Sequence, residues 1–92
     1  MNAKIKTFVE QIRKRPKFVA ASAIDPKWTE QLAAVERLLN AIDRKADDDP
    51  ATLKILDKVL AVIARSDLSL KERLLQVGEL FVQFRDAQGV RH

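Results

Sequence analysis

Cysteine and tyrosine are absent from this 92-residue chain, and histidine and tryptophan each occur once. Without cysteine there is no disulfide framework, no thiolate zinc site and no thiol nucleophile, so a reducing compartment is the simplest setting. The sole histidine, His92, is the last residue and has no neighbouring base, acid or second metal ligand. Glycine and proline are scarce, two and three residues, so connections between elements are expected to be short. No stretch approaches the roughly 18 apolar residues that a membrane span needs. The N-terminus shows neither the apolar segment nor the small-residue cleavage site of a signal peptide. A soluble, cytoplasmic protein is the expectation.

Hydrophobic residues make up 47% of the chain, enough for a packed core, and the apolar patterns recur at three and four residues. That periodicity points to an all-α domain spanning residues 1–92. The net charge of +4 is unevenly placed. Residues 1–17 hold Lys4, Lys6, Arg13, Lys14, Arg15 and Lys17 against Glu10 alone, whereas the remainder is close to neutral. Such a segment is drawn to phosphates or to an anionic membrane surface.

Four helices are predicted, over residues 3–15, 26–45, 50–65 and 69–87. The first carries Ile5, Phe8, Val9 and Ile12 on one stripe and is interrupted at Arg15-Pro16, since a residue before proline is pushed off helical dihedrals. Residues 17–24 are open between a helical turn and an ordered loop, with Phe18 and Val19 expected to seek burial. Asp25-Pro26 and Asp49-Pro50 each read as a helix start, a carboxylate cap followed by a residue with no N–H to lose. Trp28, Leu32, Val35, Leu38, Leu39 and Ile42 form the second stripe, with Trp28 read as core. The third helix is apolar over half its circumference, through Leu53, Ile55, Leu56, Val59, Leu60, Val62 and Ile63. Ser69 and Glu72 form a capping box for the last helix, which Gly89 ends. Short connections between four such helices imply a small antiparallel four-helix bundle with the third and fourth helices at its centre.

The candidate sites are few. Asp47, Asp48 and Asp49 lack the alternating oxygens, central glycine and terminal glutamate of a calcium loop, and read as a solvated helix cap. Glu72 and Glu79 share a helical face without the apolar surroundings that would make one an acid and the other a base. Neither a metal, a cofactor nor an enzymatic activity is expected. Arg13, Lys14, Arg15 and Lys17 are the candidates for contact with an anionic surface or a nucleic acid, although no helix-turn-helix or RNA-binding signature accompanies them. Leu75 and Val82 lie one heptad apart, outside the main stripe of the last helix formed by Leu70, Leu74, Val77, Leu80, Phe81 and Phe84. They mark either a second packed side or a patch for a partner helix or a homodimer seam.

The helix WTEQLAAVERLLNAIDRK, the helix start DPATLKILDKVLAVIA, the turn SDLS and the last helix KERLLQVGELFVQFRDAQGV together resemble the immunity proteins that protect lactic acid bacteria against pediocin-like bacteriocins, the enterocin-A immunity type in particular. That resemblance implies a four-helix bundle with no catalytic activity. It implies a protein partner, a complex between bacteriocin and a membrane receptor met from the cytoplasmic side. It also implies that specificity lies in the C-terminal half, here around Leu75, Val82, Arg85 and Arg91. A small nucleic-acid-binding or phage-type regulator, and a helical adaptor or dimeric inhibitor, are the alternative readings, with monomer and homodimer both open.

Overall fold

The computed structural model describes residues 2–89, and Arg91 and His92 lie outside them. Among the described residues there are five helices and no strand: α1 (Ala3–Arg13), α2 (Pro16–Ile24), α3 (Lys27–Lys45), α4 (Pro50–Ile63) and α5 (Leu70–Gly89). The all-α expectation therefore holds, but the count of four does not. Residues 17–24 are not a loop. Pro16 stands at the first helical position, where its fixed φ suits a helix start, and Val19 N donates to the Arg15 carbonyl at 2.9 Å.

The backbone divides into two compact units, Met1–Asn40 and Ala41–His92, with the boundary inside α3. In the first, Asn2 Oδ1 accepts from Lys4 N at 2.9 Å and so caps α1, while Ile5, Phe8, Val9 and Ile12 are all buried. Arg15-Pro16 ends that helix, as expected. α2 touches α1 yet buries none of its own residues. Asp25 Oδ1 accepts from Lys27 N at 3.0 Å, so α3 begins one residue after Pro26. Leu32 and Leu39 on the predicted stripe are buried, but Leu38 is exposed and Trp28 is 47% exposed. Trp28 is thus not a core residue. Periodicity gives the side of the helix on which a residue lies, not whether anything stands opposite it.

In the second unit α4 packs against α5. Asp49 caps α4, its Oδ1 accepting from Ala51 N at 3.2 Å and its Oδ2 from Thr52 Oγ1 at 2.7 Å. Ile55, Leu56 and Val59 are buried on α4, and Val77, Leu80 and Phe84 on α5. Leu53, expected on the apolar arc, is exposed. Ser69 Oγ accepts from Glu72 N at 3.1 Å, which supplies the serine part of the capping box. Arg73 Nη1 donates to the Ile63 carbonyl at 3.2 Å, so a cation on the first turn of α5 satisfies the C-terminal end of α4. This bond joins the end of α4 to the start of α5 across residues 64–69, so the two packed helices form a helical hairpin.

Candidate interaction site

Leu75 and Val82 sit on the side of α5 away from its buried stripe. At 100° per residue, Val77, Leu80 and Phe84 cluster on one arc, and Leu75 and Val82 fall within 20° of each other near its opposite. They are 61% and 46% exposed, more than a second packed side of α5 would leave them. Glu72, Glu79 and Asp86 follow one edge of this patch, and Lys71 and Arg85 the other. All five are exposed. Gly78 lies beside the seam, and a Cβ built there would have nothing within 4 Å.

The same hairpin carries a groove of about 580 Å³. Ala61, Val62 and Leu80 supply its apolar lining, with Lys58 and Arg65 from the α4 side and Gln76, Glu79 and Gln83 from α5. Arg65 is tied down by Asp67, Nε to Oδ1 at 3.2 Å and Nη2 to Oδ2 at 2.6 Å. This fork holds the Asp67 carboxyl below its ordinary range and raises the guanidinium further. Glu79 belongs to both the groove and the acidic edge of the outer patch. No family model, curated protein or solved structure matches the chain.

Of the other residues expected to bind, Arg85 is exposed on the α5 patch, and Arg91 lies outside the described residues. Arg13, Lys14, Arg15 and Lys17 are exposed at the junction of α1 and α2, separate in sequence from the α5 patch. Arg13 Nη2 lies 3.7 Å from Glu36 Oε1, a half-exposed pair on the first unit. Asp49 serves its helix cap, and among the described residues no group of three histidine, cysteine, aspartate or glutamate side chains could hold a metal ion. Nor is any helix among them long and apolar enough to cross a membrane.

Sequence reasoning missed Arg73, whose bond to Ile63 spans ten residues and leaves no periodic trace. It also missed the groove. The i, i+3, i+4, i+7 spacing of Lys58, Ala61, Val62 and Arg65 was a readable signal for one wall, but the opposing wall depends on the register of α5.

Proposed function

We propose that the chain is a non-enzymatic binding protein that presents the outer face of α5 to a protein partner. The exposed Leu75 and Val82, one heptad apart between an acidic and a basic edge, support this reading. A partner helix gains apolar contact from the seam and takes its orientation from the two edges. By the resemblance, the partner is a bacteriocin–receptor complex and the protein is an immunity protein acting by occlusion. The antiparallel four-helix bundle and the cytoplasmic setting belong to the same proposal. A helical adaptor or a homodimer is the second reading, because the patch offers opposite charges on its two sides to another copy running in the same direction.

Expression in a bacteriocin-sensitive lactic acid bacterium, challenged with a panel of pediocin-like peptides, tests the first reading. Selective survival that Leu75→Lys/Val82→Lys abolishes supports it, and uniform killing with expression verified rejects it. Light scattering over a concentration series tests the second. A mass that rises with concentration, and no longer does so in that variant, supports a dimer seam, and a constant monomer mass removes it.

A further inference from the structure

We infer that α2, with the cations leading into it, is a docking element for an anionic lipid surface. This rests on a different part of the chain from the α5 patch and is independent of it. A helix on the surface of a globular protein ordinarily turns polar residues outward. α2 instead leaves apolar residues outward as well. Its half-buried residues are Phe18, Ala21 and Ser22, and its exposed arc is Val19, Ala20, Ala23 and Ile24, joined by Pro16 and Lys17 at the start. Val19 is 53% exposed and Ile24 87%, and no residue of the helix is buried. Trp28, four residues beyond Ile24, is likewise half in solvent.

The cations do not serve the fold. Arg15 occupies the cap position with no side-chain cap bond, and Lys17 lies in the first turn, which holds no acidic residue. Positive charge at a helix N-terminus opposes the macrodipole, so this placement costs stability locally. Lys14 adds a third exposed charge. The carboxylates nearby are engaged or few: Glu36 faces Arg13, Asp25 caps α3, and Glu10 is half-buried on α1.

Apolar side chains beside a cluster of cations match a bilayer surface with anionic headgroups. Phosphates attract Lys14, Arg15 and Lys17, while Val19 and Ile24 enter the acyl boundary and the indole settles at headgroup depth. A nucleic acid would use the cations but give the apolar arc nothing to contact.

Trp28 is the only tryptophan and there is no tyrosine, so the chain carries its own reporter. The full-length protein is titrated with vesicles of equal phosphatidylglycerol and phosphatidylcholine, and with phosphatidylcholine alone, following Trp28 emission and co-sedimentation. Binding with a blue shift is expected on the anionic vesicles only. Lys14→Gln/Arg15→Gln/Lys17→Gln should weaken it about a hundredfold, each cation contributing roughly fivefold near an anionic leaflet. Val19→Gln/Ile24→Gln, two exposed sites given a good helix former, should weaken it about tenfold or more and abolish the blue shift, with helix content unchanged by circular dichroism. Absence of binding to anionic vesicles by the wild type overturns the proposal. So does unchanged vesicle binding by Val19→Gln/Ile24→Gln, or tighter binding of duplex DNA that this variant retains.

Discussion

Thr52 is fully buried, although its neighbours in the core of the second unit are aliphatic or aromatic. Its hydroxyl is tolerated there because it donates to Asp49 Oδ2 at 2.7 Å, which satisfies it without water. The same bond is the largest cause of the lowered Asp49 pKa, with the Ala51 N–H and Lys45 acting in the same direction. Thr52→Val keeps the volume and removes the bond, so it should cost about 1 kcal/mol of stability in denaturant unfolding. It should also return the Asp49 carboxyl toward its ordinary value of 3.8, read by NMR titration of its Cγ. The sign for the wild type follows from the depressed value. Asp49 is more acidic folded than unfolded, so its contribution is present above the ordinary carboxylate range and is lost as pH falls through the folded pKa. Asp67, held down by the Arg65 fork, contributes with the same sign. Stability should therefore fall on acidification below about pH 4, and more shallowly in Thr52→Val. Asp49 was readable in the sequence as a cap, but its bond to Thr52 was not, since a threonine three residues into a helix gives no sign of where its hydroxyl turns.

Among the elements, α1 was legible from its stripe and the Arg15-Pro16 stop, and α4 from the Asp49-Pro50 start and its wide apolar arc. α2 was not, because its composition is apolar on every side and PKFVAASAI has no periodic contrast to read. Only Pro16 signalled a start, and Arg15 is a poor cap. α3 and α5 were placed correctly in the chain, while the fates of Trp28, Leu75 and Val82 depended on what packs opposite them. Two substitutions test these assignments. Trp28→Ala should cost about 1–2 kcal/mol, because half the side chain is already in water. A loss in the range of about 3–5 kcal/mol expected for a fully buried tryptophan would return Trp28 to the core. Gly78→Ala should stabilise the fold by about 1 kcal/mol, since a helix-interior glycine is entropically unfavourable and the added methyl meets nothing within 4 Å. For a domain of this size that is a rise of roughly 4–8 °C in Tm, and a fall would show that something already occupies the space beside the seam.

Across the whole molecule, stabilising features are unevenly distributed, and the proposed lipid-docking element lies where they are thin. α1 buries four large side chains, whereas α2 buries none, lacks a side-chain cap and starts with charges of the wrong sign for its dipole. Its backbone bonds, such as Asp25 N to the Ala21 carbonyl at 2.9 Å, are well formed, so it is helical without being well anchored. Local opening of such a segment exposes little new apolar surface beyond Phe18 and should be inexpensive compared with opening α4 or α5 around the buried Val59 and Val77. Native-state hydrogen exchange should therefore rank the amides of α2 as the least protected helical amides, and place those around Val59 and Val77 near the limit set by global unfolding. Anionic vesicles should raise protection selectively across α2, because only bound lipid supplies the burial that the chain itself withholds from Val19 and Ile24. Protection in α2 equal to that of α1 in the free protein would mean that this helix is anchored by contacts beyond those to α1. The energetic reason to assign it a ligand would then be gone.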